Sequence, residues 1–237
     1  MNEAAARAEV LALMRQLETL PIHVQHVAGL ALQLFDGLAG LHGLGPRERL
    51  LLEAAGCLHD IGHQYDYTGL GHHKESARLI REHPWQEFSR PDVELIAQIA
   101  RYHRKSMPSF KHDEFRALAE ADRRIVQCLG GLLRLADSLD RTHEQVIARV
   151  TTEVRPNAVA LPLVAHGEGK LGLVRAVGFA QTTDAEDFRL GRLGLGAFDD
   201  QHHFAVIIDE ANPAETFVGN APIELHGREV AEIHAAV

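Results

Sequence analysis

The spacing of apolar residues constrains this chain more than any single residue does. Val10, Leu13, Met14 and Leu17 recur at i, i+3, i+4 and i+7, the mark of one helix face, and predict a helix over 3–19. Pro21 ends it. Val24, Val27, Ala28, Ala31, Leu34, Phe35 and Leu38 carry the same period through a second helix, over 22–38, which "GLHGLGP" terminates. A third, over 47–58, starts behind Pro46 and runs into His59-Asp60, with Gly62 as its stop. A short helix over 72–83 ends at Pro84. Ser89, Pro91 and Asp92 make a capping pattern ahead of "VELIAQIARYHRK". From about Glu120 to Val150 the chain reads as one or two helices, where Gly130-Gly131 marks close packing or a local bend.

After Val150 the texture changes. "NAVALPLVAHGEG" and "HHFAVIID" read as strands around Val159–Val164 and Phe204–Asp209, and "FRLGRLGLGAF" is broken by glycines with no helical period. The expected architecture is therefore mainly α: a helical bundle over 1–150 and a small α/β appendage over 151–237. At 46% hydrophobic residues the chain has ample material for a core, and its Leu and Ala content leans towards helix.

A net charge of −9 excludes a general nucleic-acid binder, which needs a basic face, but not a small phosphate whose charge a metal or a few arginines offset. Cys57 and Cys128 both sit in apolar helical surroundings and read as buried free thiols of a reducing cytoplasm. The N-terminal segment is an amphipathic helix with acids rather than a signal peptide, and no apolar run has membrane-spanning length. The expectation is a cytoplasmic protein with neither membrane nor nucleic-acid partners. His202-His203 read as ordinary loop histidines.

The chain has sixteen histidines, eleven of them before position 144. His26 lies one turn before Leu30. His59 follows Leu52 and Ala55, His103 follows Ile96 and Ile99, and Asp137 follows Gly130 and Leu133, each continuing an apolar face. One such group is more often a hydrogen-bonded core residue than a ligand. Several on several helices solve their burial together by sharing a cation, the way helical bundles build metal sites. Imidazole with carboxylate suits one or two divalent ions, and Mn, Mg, Fe, Zn and Co are not distinguished. Asp140, three residues past Asp137, reads as an ion-pair or substrate contact.

His26, the His59-Asp60 pair and Asp137 resemble the H…HD…D signature of the HD superfamily of metal-dependent phosphohydrolases. More narrowly, "LLLEAAGCLHDIG", "HHKESARLI", "FSRPDVELIAQIARYHRKSMP" and "LLRLADSLDRTH" are similar to the C-terminal HD region of the Ppx/GppA (exopolyphosphatase/guanosine pentaphosphatase) family. The resemblance spans roughly Ile22 to Val150. It implies an HD helical fold with His26, His59, Asp60 and Asp137 as metal ligands. His72 or His73, with His103, would complete a two-metal site; His72 stands four residues before Ser76, the favoured spacing. Arg101, Arg104, Lys105 and Arg141 match basic positions that meet phosphate. Glu75 stands where the family commonly has another His. The actin-like domain that carries polyphosphate and pentaphosphate hydrolysis in that family is not in this sequence, nor is the glycine-tyrosine-proline extension of cyclic-di-GMP phosphodiesterases.

The implied chemistry is hydrolysis of a phosphomonoester, nucleotide or phosphoanhydride by metal-activated water, with Asp60 bridging two ions and Asp60, His103 and Arg104 as the catalytic set. No GxSxG, P-loop or CxxC competes for the role. The alternative is a non-catalytic module that binds phosphate, nucleotide or polyphosphate. The expected partner is a small phosphorylated compound, nucleotide or polyphosphate-like, and a homodimer stays open.

Overall fold

Eight helices precede every described strand: α1 (Glu3–Leu17), α2 (Pro21–Gly37), α3 (Ala39–His42), α4 (Pro46–Leu58), α5 (His72–Glu82), α6 (Arg90–Arg101), α7 (Asp113–Arg116) and α8 (Glu120–Leu139). The computed structural model describes residues 2–66, 71–155, 158–166, 171–177 and 205–209. The helix starts follow local chemistry. The Asn2 side chain accepts from the Ala4 and Ala5 amides to cap α1, and Ser89 Oγ accepts from the Asp92 amide to cap α6. Pro21, Pro46 and Pro91 stand in the first turns of α2, α4 and α6, where a missing N–H costs nothing.

The core is the sum of the apolar faces. Helix α2 packs against α4 and α8, and α6 packs against α4, α5 and α8, while α1 covers α4. Val24, Val27, Leu30, Ala31 and Leu34 of α2 meet Leu51, Leu52, Ala55 and Leu58 of α4 in one buried cluster with Ile96 and Ile99 of α6 and Leu129, Leu132 and Leu133 of α8. Helix α4 is buried on nearly every side from Leu50 to Leu58, so it forms the centre of the bundle. Cys57 and Cys128 are buried free thiols, each pushed up to about 12 by burial. Among the described residues no helix is long and apolar enough to cross a membrane.

The glycines of the pattern serve close packing. A Cβ at Gly56 would stand 2.9 Å from the Cα and Cβ of Ala28, so α2 and α4 touch backbone to backbone there. Gly130 faces Tyr102 at 3.5 Å, so the glycine pair marks the α6–α8 contact, and α8 runs through it unbroken. Gly62, expected as the stop of the third helix, lies four residues past its end. Helix α4 ends at Leu58, Gly62 has φ −79°, and its amide donates to Ser76 Oγ at 2.9 Å. Any side chain there would collide with the first turn of α5.

The late helix is shorter than the sequence predicted. It ends at Leu139, and Ile147–Val150 is a strand instead. The turn between them places His143 (φ 60°) and Gln145 (φ 52°) in the left-handed region, which stops a helix, and the β-branched Val146, Ile147 and Val150 favour extended chain. The strands β1 (Ile147–Val150), β2 (Glu153–Arg155), β3 (Ala158–Ala165), β4 (Leu171–Val177) and β5 (Ala205–Asp209) form an antiparallel sheet of order β1-β3-β4-β5, with β2 also paired to β3. Val150 stands opposite Leu163. The expected strands at 159–164 and 204–209 are thus β3 and β5. The glycine-broken segment and His202-His203 lie outside the described residues.

The sheet is tied to the helices. Ile147, Val150, Leu161 and Leu163 are buried in the same core as α2, and the Val150 amide donates to Gln33 Oε1 at 2.9 Å. Gly56→Ala should lower stability by about 1–3 kcal/mol, because the added methyl pushes apart two helices whose other contacts are fixed. Thermal unfolding of the two proteins measures this directly; an unchanged midpoint would show that α2 and α4 can separate freely.

Candidate metal centre

Asp60 follows the end of α4, on a turn, and its carboxylate is buried between two sets of imidazoles. One oxygen, Oδ2, faces His23 Nε2 at 3.8 Å and His59 Nε2 at 3.5 Å. The other, Oδ1, faces His72 Nε2 at 3.3 Å and His103 Nε2 at 3.5 Å. Asp137 joins the first set, with Oδ1 at 3.5 Å from His23 Nε2 and 3.6 Å from His59 Nε2. Five elements supply the six side chains: His23 from α2, His59 and Asp60 from the end of α4, His72 from the start of α5, His103 just past α6, and Asp137 from α8.

The outer nitrogens of three of these rings are already committed. His59 Nδ1 donates to the Gly56 carbonyl at 2.7 Å and His103 Nδ1 to the Ala100 carbonyl at 2.7 Å. His23 Nδ1 donates to Asp140 Oδ2 at 2.8 Å. Each bond fixes the tautomer so that a lone pair on Nε2 points inward, the arrangement that histidine ligands need. Among the described residues the Nε2 atoms of His23 and His59 and Oδ1 of Asp60 are buried without a hydrogen-bond partner. His42 shows the contrast: it is equally buried, but Nε2 bonds Phe35 O and Nδ1 accepts from Leu44 N, so it is a satisfied core histidine.

The electrostatics have the same cause. Burial opposes the charge on His59, yet Asp60 and Asp137 outweigh it and push the ring up to about 9. Burial and the charge on His59 push His103 down to about 3. Burial also works against the carboxylates, but the rings around them hold Asp60 and Asp137 well below the ordinary range. Two ionised carboxylates among rings whose Nε2 atoms point inward are a donor set for a cation, which would take the place of the proton that His59 otherwise holds. Ligands roughly 2.0–2.2 Å from a shared ion stand about 2.8–3.6 Å apart, depending on the coordination angle, so both groups fit a divalent ion with small side-chain shifts. Among the described residues, His23, His59 and Asp60, and separately Asp60, His72 and His103, are groups that could hold one.

The structure gathers only part of the residue set marked in the sequence. His26 is not in the cluster. It lies half-buried beside the Ile147 backbone and His166, and His23, one turn earlier, takes the inward position. The sequence held a signal for this: four, seven and eleven residues after His23 come Val27, Leu30 and Leu34, all core, whereas His26 is followed at seven by Gln33, which bonds β1. His72 is in the cluster, and His73 is not. His73 is buried behind it, ring centroids 6.0 Å from His72 and 6.4 Å from His103, and burial pushes it down to about 4. Arg104 lies against His72, with Nη1 at 3.2 Å from Nε2. Arg101 is instead paired with Glu114 at 2.9 Å and sits over the Tyr102 ring. Arg141 is exposed on the turn after α8. Lys105 follows Arg104 with φ 55°.

Two neighbours escaped the sequence reading. His63 stacks on His72 at 3.7 Å between centroids, with Nε2 3.6 Å from Asp60 Oδ2, and its place four residues after His59 was the available signal. Asp140, expected as an ion-pair or substrate contact, pairs with His23. Its Oδ1 accepts from the Gln145 amide at 2.7 Å, and the His143 ring stacks on His23 at 3.9 Å. The left-handed turn after α8 therefore grips the far side of His23. Exposure is uneven among the residues of the cluster. His23, His59, His72 and His103 have at most 1% of their side-chain surface exposed, whereas Asp137 has 24% and His63 39%.

A helical domain with a buried His/Asp cluster able to hold a metal ion is the class that fold and site define. Residues 7–166 match the family model described as Ppx/GppA phosphatase, domain III, and the chain belongs to that family, one of phosphatases.

Because Asp140 orients His23, Asp140→Asn should weaken cation retention about 10- to 100-fold, while His26→Ala should leave it unchanged. Dialysis against a metal buffer followed by elemental analysis compares the two. Equal retention in Asp140→Asn and the parent would show that His23 needs no orienting partner.

Proposed function

We propose that this chain is a metal-dependent phosphohydrolase of the HD superfamily, acting on a small phosphorylated compound. One observation carries the reading: the two oxygens of Asp60 face separate imidazole sets, which suits a carboxylate that bridges two divalent ions. Membership of a phosphatase family supports it.

In this reading His23, His59, Asp60 and Asp137 hold one ion, and His72 and His103 share Asp60 for a second. Bound there, divalent ions supply a water acidic enough to attack phosphorus near neutral pH and neutralise charge on the phosphoryl oxygens. The side chains have separate tasks. Asp140, Gly56 O and Ala100 O hold His23, His59 and His103 in the tautomer that presents Nε2. The four rings are buried while Asp137 and His63 keep part of their surface exposed, so substrate enters beside those two. Arg104, at the edge of His72, brings a fixed positive charge to the phosphate side.

All of these residues precede position 150, so the catalytic unit in this reading is 1–150. The strands after it complete the core through Leu161 and Leu163. A chain cut after residue 150 should unfold at a lower temperature than one cut after 166, and the longer piece should keep its metal. If neither piece holds metal while the full chain does, the unit reaches further than proposed.

Asp137→Ala should lose most bound metal and all metal-stimulated hydrolysis of phosphate esters while keeping its helix content by circular dichroism. A chelator should silence the parent protein, and Mn²⁺, Mg²⁺ or Co²⁺ should restore it. Undiminished hydrolysis in the chelated protein would refute the reading.

A further inference from the structure

Several arginines in this protein meet carboxylates. Arg7 meets Glu53, Arg47 meets Asp92, Arg49 meets Asp36 and Arg81 meets Glu94, each at 2.6–2.9 Å. Two arginines beside the cluster are not paired in this way. Arg104 follows the cluster residue His103, and Arg134 lies on α8 one turn before the cluster residue Asp137. Among the described residues neither has a carboxylate at ion-pair distance. Arg134 Nη1 donates to the Lys105 carbonyl at 2.8 Å, which holds it against the turn that carries Arg104. That turn is strained, since Lys105 takes a left-handed φ of 55° without being glycine.

A half-buried guanidinium with no counter-ion is costly. Arg134 shows the cost. The other arginines just named are raised by their acidic partners, whereas Arg134 is lowered by burial, which outweighs the attraction of Asp137, and the charge of Arg104 adds a smaller push in the same direction. The fold therefore keeps two like charges beside the cluster, Arg104 against His72 and Arg134 one turn from Asp137. A single backbone carbonyl and a thioether, Met107 Sδ at 3.4 Å, use only part of the five N–H donors of Arg134. A dianionic oxyanion placed between the two arginines would cancel the repulsion and accept the remaining donors in the forked geometry that guanidinium offers to phosphate.

We propose, resting on the phosphohydrolase reading above, that Arg104 and Arg134 form a two-guanidinium receptor for a phosphoryl group, with Arg134 touching the phosphate directly. Arg134 is thus a binding residue of the site rather than a staple for the loop after α6.

The test uses the full chain and inorganic phosphate as the probe, titrated calorimetrically with Mn²⁺ and again after chelation. Arg134→Gln should keep the bound metal of the parent and weaken phosphate roughly 10- to 100-fold, and Arg134→Lys should lose less. The loss should persist when Arg104 is already Gln. Were it to vanish in that background, Arg134 would act only by placing Arg104, and the receptor is overturned. Parent-like phosphate affinity in Arg134→Gln with metal intact also overturns it and leaves the metal reading standing. Should Arg134→Gln fail to fold, parent-like affinity in Arg134→Lys overturns the fork. A parent chain that binds no metal, yet loses phosphate on Arg134→Gln, would sink the metal reading and keep the receptor.

Discussion

A carboxylate buried among four imidazoles is the constraint on which the rest of this structure depends. Asp60 cannot be solvated by water, and each of its oxygens faces histidines brought from different helices. An arrangement of this kind is stable only when every contributing side chain arrives with its outer nitrogen already satisfied, because each unsatisfied buried donor carries its own desolvation cost. That requirement explains why α4 stops where it does. Breaking the helix at Leu58 lets the carbonyls of its last turn serve His59 while the chain turns Asp60 inward. The same logic repeats at the end of α6, where the Ala100 carbonyl serves His103.

The bundle around Asp60 is a positioning device. Helix α4 runs through the centre of the core, so its end is fixed by contacts on nearly all sides. The backbone contact at Gly56 sets the distance to α2 and hence to His23, and the collision space at Gly62 sets the distance to α5 and hence to His72. Two glycines thus set two of the spacings in the cluster. In both cases the reason is close approach, and only a structure shows which neighbour approaches.

The helices were legible in the sequence because apolar period 3.6 and proline caps are local signals. The pairing of His59-Asp60 with His103 and Asp137 was legible for the same reason, since each continued an apolar face. What escaped depended on contacts between distant segments. His23 and His26 share one helix and differ by one turn; the apolar residues that follow His23 hinted at the choice, and the packing of β1 on the face of His26 decides it. The end of α8 was misjudged because "DRTHEQVIARV" has acceptable helical composition, and its left-handed turn exists to bring Asp140 and His143 back onto His23. Arg134 was invisible as an unpaired cation because pairing is a tertiary property; in sequence it sits conveniently close to Asp137.

The two cysteines bear on which ions this site admits. Cys57 stands two residues before His59, close enough in sequence to have been a ligand, yet it is buried in the core and its thiol is pushed up to about 12. Cys128 is held the same way. The thiolate form, the one that binds soft metals, is therefore suppressed at both positions. The cluster offers only imidazole nitrogen and carboxylate oxygen, a borderline-to-hard donor set that discriminates against cuprous and other thiophilic ions by chemistry. Among the divalent ions that remain, affinity alone would favour the later transition metals, so any choice between them would rest on coordination geometry and on which ion is available.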